Sequence, residues 1–62
     1  MCLSDAFAVS GGERSPLMNY VSGISVDGEK VVLTDMLGAK KTVTGTLKSV
    51  DLTKNVILIE TE

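Results

Sequence analysis

An all-β domain of SH3-like size, a small barrel or curved meander of short antiparallel strands, is the fold class that this sequence predicts. Three observations predict it. Short runs rich in Val, Ile and Thr recur without helical periodicity. Turn residues separate them at intervals of about eight residues, the spacing of small all-β folds. The hydrophobic fraction of 44% is almost wholly aliphatic, Phe7 and Tyr20 being the only aromatics.

Leu3 to Val9 alternates, with Leu3, Asp5, Phe7 and Val9 on one face, and reads as a first strand with Asp5 as its blemish. Ser10 to Pro16 is polar, and its paired glycines and Pro16 exclude a helix or a central strand there. Leu17 to Val21 is short enough for a strand or a single turn of helix, the strand being the favoured reading, and Gly23 sets it off from the next element. Ile24-Ser25-Val26 and Lys30 to Thr34 flank Asp27-Gly28, a dipeptide that tolerates the positive φ of tight hairpin turns. Lys40 to Thr44 follows as a β-branched strand, giving a second hairpin. Gly45 interrupts, Thr46 to Val50 resumes, and the slip of phase between Leu47 and Val50 predicts a bulge that bends the strand. Asp51 to Asn55 supplies turn residues, with Asn55 suited to a left-handed conformation. The apolar run Val56 to Ile59 reads as a strand buried on both faces.

Residues 1–62 form one domain, with six Lys and Arg against eight Asp and Glu and a net charge of −2. That charge argues against coating nucleic acid. A domain this small hides only about 60% of its unfolded surface, so its stability is marginal without a metal, a disulfide or a partner subunit. One cysteine cannot form an internal disulfide. The doubly apolar runs Val31-Val32-Leu33 and Val56 to Ile59 exceed what one face of a thin sheet can cover; a second subunit in a homodimer is the leading expectation for the cover, with barrel closure and the Leu17 to Val21 segment as the alternative. No apolar run approaches the roughly 18 residues of a membrane helix, and no signal-peptide pattern opens the chain. A cytoplasmic protein with no membrane partner is expected. For the same reasons a lipid anchor on Cys2 is not expected, and position 2 is not the Gly that myristoylation needs.

Catalysis is poorly supported. With no His, a Ser or Cys nucleophile lacks its usual base. Asp27, Asp35 and Asp51 fall at turns, where carboxylates cap backbone N–H groups. Gly38-Ala39-Lys40-Lys41-Thr42 lacks the leading glycine and Gly-Lys juncture of a phosphate loop, and a strand follows it. Lys40, Lys41, Lys48 and Lys54 have no interleaved aromatics on which bases could stack, so they read as edge protection. The chain is therefore expected not to be an enzyme.

The residue that stands out chemically is Cys2. Free Cys is usually an inert, buried apolar residue, but here the thiol lies beside the chain's own amine and first amide. Such sulfur and nitrogen donors suit Ni(II) or Cu(II), which accept square-planar N/S coordination, better than Mg(II) or Ca(II). A small residue at position 2 commonly permits removal of Met1, which would make the Cys2 amine itself a donor. One chain supplies at most half a site. Two copies of Cys2 across a two-fold axis supply two sulfurs and two or more nitrogens, so the metal reading and the dimer need the same geometry.

The opening Met1-Cys2-Leu3, the run Val31-Val32-Leu33-Thr34-Asp35-Met36-Leu37-Gly38, and Val43 through Leu52 with its Gly45 break together resemble the CooT family of small nickel-binding proteins. The resemblance spans nearly the whole chain. It implies a small all-β nickel-binding domain, a homodimer, and Ni(II) held through Cys2. It also implies an accessory role in the maturation of carbon monoxide dehydrogenase, with that enzyme or another nickel accessory protein as partner. One departure is that Ser10 to Pro16 is longer and more glycine-rich than the compact turn expected after the first strand. Two rivals compete: a small-barrel module that binds protein or RNA, with Cys2 incidental, and a redox or persulfide-carrying thiol. The second would need a depressed thiol pKa, for which no cationic neighbour is visible in the sequence.

Overall fold

The computed structural model describes residues 3–61. Its strands are β1 (Ser4–Ser10), β2 (Glu13–Asp27), β3 (Lys30–Asp35), β4 (Lys40–Thr44), β5 (Thr46–Asp51) and β6 (Val56–Glu60), and among the described residues there is no helix. They form a single sheet in the order β4-β3-β2-β1-β6-β5. The strands β4 and β5 stand at opposite edges of that order, yet only Gly45 separates them in the chain. The sheet must therefore curl until its edges meet at Gly45, which makes it a half-barrel and realises the expected small all-β barrel.

Gly45 is where the curl closes. Its N–H donates to the Glu29 carbonyl at 2.7 Å, tying the β4–β5 junction to the β2–β3 hairpin. A Cβ built on Gly45 would overlap the Glu60 carbonyl oxygen and lie 3.3 Å from Ile59 Cγ2. Only a residue without a side chain lets the two backbones pass this closely.

Strand β2 does most to shape the sheet. It runs for 15 residues, pairing with β1 through its first part and with β3 through its second. Val21 is the corner, opposite Ser4 on one side and Asp35 on the other. The register slips between Ser4 and Phe7 on the β1 ladder and between Val21 and Gly23 on the β3 ladder. Extra residues of this kind bend a strand and increase its twist. Beside the corner Tyr20 takes φ +57°, a left-handed conformation unusual for a bulky residue.

These facts correct the reading of residues 10–23. The turn after β1 is only Gly11-Gly12, both at positive φ (+58° and +84°), as a tight two-residue hairpin requires. Strand β2 resumes at Glu13 and passes through Pro16 and Gly23 without a break. Pro16 is tolerated because β3 does not begin to pair with β2 until Val21, so Pro16 faces a partner only at Phe7 and sits on a local edge. The supposed long loop is thus compact, and the departure noted from the family pattern disappears.

The face expected of β1 is largely reversed, since Ser4, Ala6 and Ala8 are buried beside Val9, whereas Asp5 is exposed and Phe7 half-buried. Several other expectations hold. The expected β2–β3 hairpin is present, with its turn at Gly28-Glu29, one residue beyond the Asp27-Gly28 pair, because Asp27 still pairs with Lys30. A register shift between Leu47 and Ser49 is the anticipated bulge in β5, and Asn55 takes φ +58°. The lysines of β4 and Lys48 of β5 lie on the two edge strands, where charge discourages pairing with other chains. The parallel pairing of β1 with β6 was not anticipated.

The core lies in the concavity. Ala6, Val21, Val31, Leu33, Ile57 and Ile59 form one buried cluster, with Leu17, Met18, Ile24, Val43 and Leu47 packed around it. Strands β3 and β6 are not neighbours in the sheet, so Val31 and Leu33 reach Ile57 and Ile59 across the curl. Small Ala6 on the intervening β1 belongs to the same cluster and leaves room for that contact. The expectation of burial on both faces is met only by half: Val32, Val56 and Leu58, on the alternate positions, are partly exposed.

Candidate functional site

Cys2, the predicted metal ligand, lies outside the described residues. Ser4, two residues further on, opens β1 and is buried. Its surroundings define the end of the half-barrel at which the described chain begins.

Four segments converge there. Ser4 stands opposite Val21, and Val21 opposite Asp35. Asp5 N donates to the Asn55 carbonyl at 2.9 Å, and Met36 N donates to the Tyr20 carbonyl at 2.9 Å. The start of β1, the bend of β2, the β3–β4 turn and the β5–β6 turn therefore share one end. The large apolar side chains exposed among the described residues are concentrated on it: Tyr20, Met36, Leu37, Val50 and Leu52, with Val26 apart beside the Asp27–Lys30 hairpin.

This apolar end has two parts. One is a groove lined by Ser4, Val21, Gly23, Ile24, Val50, Leu52 and Ile57, with Ser22 at its side. Its walls come from β1, β2, β5, β6 and the turn after β5, and the buried Ser4 forms part of its floor. The other is a knob formed by Tyr20, Met36 and Leu37, none of which lines the groove.

The knob is rigid for a local reason. One carboxylate oxygen of Asp35 accepts from the N–H groups of Leu37 and Ala39, both at 2.9 Å. The Gly38 N–H donates to the Asp35 carbonyl at 3.0 Å, and the Asp35 N–H to the Ala39 carbonyl at 2.9 Å. An Asp that bonds the backbone two residues on mimics a turn and fixes it. Leu37 thus projects from a hydrogen-bonded turn with 87% of its surface exposed. The same device holds the β5–β6 turn, where Asp51 Oδ1 accepts from Thr53 N and Lys54 N at 2.9 Å each. Asp35 and Asp51 fill the turn-capping role expected of them.

The opposite end lacks this concentration of exposed apolar side chains, Val26 being the one large apolar residue exposed near it among the described residues. Around Gly45 a cleft is lined by Glu29, Thr44, Thr46, Glu60 and Thr61. Among the described residues, no three His, Cys, Asp or Glu side chains converge in a way that could hold a metal ion. No helix among the described residues is long and apolar enough to cross a membrane.

Sequence reasoning missed the knob and the groove, although a signal existed. Leu37 and Leu52 each fall inside a turn opened by an Asp, where the backbone is occupied by the carboxylate and an apolar side chain can only face outwards.

A family model described as CO dehydrogenase accessory protein CooT matches residues 1–60. The chain belongs to the CooT family. The fold is that of a solved relative: the crystal structure of a candidate CooT from Carboxydothermus hydrogenoformans superposes with a TM-score of 0.88 at 26% identity, covering 98% of each chain. No curated protein matches. The match starts at Met1 and takes in Cys2, both turns of the apolar end, and the Gly45 junction.

Proposed function

We propose that this chain is a non-enzymatic, metallochaperone-like accessory protein that holds Ni(II) through Cys2 at a homodimer interface, for delivery to or storage for carbon monoxide dehydrogenase in the cytoplasm. Family membership supports the accessory role. The metal part rests on the family match, which takes in Cys2, and the dimer part on Val50 and Leu52, two large apolar side chains left exposed beside the groove in which β1 begins. Burying Val50 and Leu52 in a contact between copies would offset the thin core of so small a domain.

The chemistry follows from the donors. A Cys2 thiolate with the amine or a deprotonated amide gives one chain a sulfur and one or two nitrogens. A second chain related by a two-fold axis doubles the set and suits the square-planar preference of Ni(II). Here the ion is cargo, and it is bound by groups that can also release it to another thiolate-rich site.

Nickel titration followed by sulfur-to-nickel charge-transfer absorbance, with intact-mass measurement of the assembly, tests this reading. The expected result is one nickel per dimer, and loss of both the absorbance and the metal in Cys2→Ser, whose melting temperature matches that of the metal-free parent. Retention of one nickel per dimer by the Cys2→Ser protein would overturn it.

A further inference from the structure

We infer that the homodimer proposed above, a reading on which this inference rests, forms when two copies exchange their β1–β2 arms, residues 3–19, by straightening β2 at Tyr20. The exchange is what brings the two copies of Cys2 together.

Fifteen strand residues run about 50 Å when straight, whereas the molecule measures 31 Å in its longest dimension. Strand β2 must therefore fold back, and it does so without a loop. Its first part pairs with β1 and its second with β3, while Val21 belongs to both ladders. Tyr20 makes the corner at φ +57°, a conformation that costs an L-residue free energy. With 61% of its surface exposed, Tyr20 gains little packing to offset that cost. Straightening β2 returns it to the extended region and releases the strain. A short hinge under strain is the setting in which copies of one chain exchange an identical element.

The rest of the chain needs an arm, and the arm of a second copy serves as well as its own. Strand β1 lies between β2 and β6 in the sheet, and Ala6 packs in one cluster with Val31, Leu33, Ile57 and Ile59. Asp5 N donates to the Asn55 carbonyl, Thr61 N to the Val9 carbonyl and Lys41 Nζ to the Leu17 carbonyl, each bond joining the arm to the remainder. All of these reform when the arm comes from the partner, so the closed chain and the exchanged dimer contain the same lobe and differ at the hinge. Since β1 is central, the arm leaves only when the core opens. Exchange is thus decided during folding, and the product persists.

The hinge lies where the metal reading needs it. Ser4 stands opposite Val21, so β1 begins beside the corner. In the exchanged dimer both β2 strands cross the two-fold axis at Tyr20 and Val21, and each arm starts next to that crossing. Cys2, two residues before Ser4, is carried there by both arms, and each half of the metal site arrives on a strand seated in the partner's lobe.

The test uses metal-free protein bearing Cys2→Ser, so that neither nickel nor the native thiol contributes. Asp5→Cys and Val56→Cys are added, because exposed Asp5 on the arm faces Val56 on β6 in the parallel ladder. The protein is refolded from denaturant at high concentration, and its dimer fraction is isolated by size exclusion, oxidised, and run on denaturing gels without reductant. Exchanged arms join two chains, so a covalent dimer is expected; closed arms join a chain to itself and give a monomer band. A monomer band from the dimer fraction would overturn the inference. So would the absence of any dimer, which would leave only closed chains bridged by nickel, to be judged by the titration of the parent. As a second measurement, Tyr20→Asn without added cysteines is expected to raise the dissociation constant of the metal-free dimer about fivefold in sedimentation equilibrium, through relief of strain at two hinges in the closed chains. An unchanged or lower dissociation constant would also count against exchange at Tyr20.

Discussion

The two ends of this half-barrel are built to opposite rules. At the Gly45 end, backbones pass so closely that no side chain fits, the junction is tied to the Glu29 carbonyl, and the lining residues are Thr and Glu. At the other end, turns project Leu37 and Leu52 into solvent, and Tyr20 is held in a strained conformation. The first arrangement closes the sheet and leaves little to bind an apolar partner. The second adds nothing to the core, yet it surrounds the point where β1 begins. The contrast separates residues kept for folding from residues kept for contact, and it can be broken by substitutions at each end.

The largest effect is expected at the closing end. Gly45→Ala places a methyl group against the Glu60 carbonyl oxygen, and the neighbours that would have to move are backbone atoms of β6, already paired to both β1 and β5. A cost on the order of 3 kcal/mol follows from overpacking of this kind. For a domain of this size that is a fall in melting temperature of roughly 12–24 °C, measurable by circular dichroism. A melting temperature within a few degrees of the parent would mean that the edges are not pinned at Gly45.

At the open end, Asp35→Ala removes the acceptor for the Leu37 and Ala39 N–H groups. Both groups are exposed, and water replaces the carboxylate at a net cost of about 1 kcal/mol. The sharper readout is local: amide exchange at Leu37 and Ala39 should accelerate while that of Val31 and Leu33 follows only the small global change. Uniform acceleration across β3 would show that the turn supports the sheet as well as the knob, and would erase part of the distinction between the ends.

How much of this was legible in the sequence follows the range of the interactions. Asp27-Gly28, Asn55 and the slip of phase after Leu47 act within a few residues, and each appears in the structure near where it was read. The parallel pairing of β1 with β6 joins strands at opposite ends of the chain, and no local pattern encodes it. Pro16 misled because proline forbids only a central position, and whether a position is central depends on where β3 starts to pair. The Gly45 break was legible as a break, but its reason, the Glu60 backbone beside it, belongs to the assembled sheet. Of the site, Cys2 was visible through its chemistry alone, and the family match includes it. The apolar end around β1 was not, because Tyr20, Met36, Leu37 and Leu52 come together only when the turns are brought to one end.

The smallest expected effect is also the one that discriminates best between the two rules. Tyr20→Asn keeps a side chain at the left-handed position but replaces a bulky residue with the type that adopts that conformation most readily after glycine. Asn is preferable to Gly here, because Gly would also loosen the unfolded chain and mask the relief of strain. Since Tyr20 is largely exposed, little packing is lost. The variant should gain about 0.5 kcal/mol, a rise in melting temperature of roughly 2–4 °C. A residue retained for stability cannot give that result, whereas replacing one retained as a strained hinge should make the closed chain more stable and the dimer weaker. A drop in melting temperature would instead place Tyr20 among the residues that stabilise the bend of β2, and arm exchange would lose its driving force.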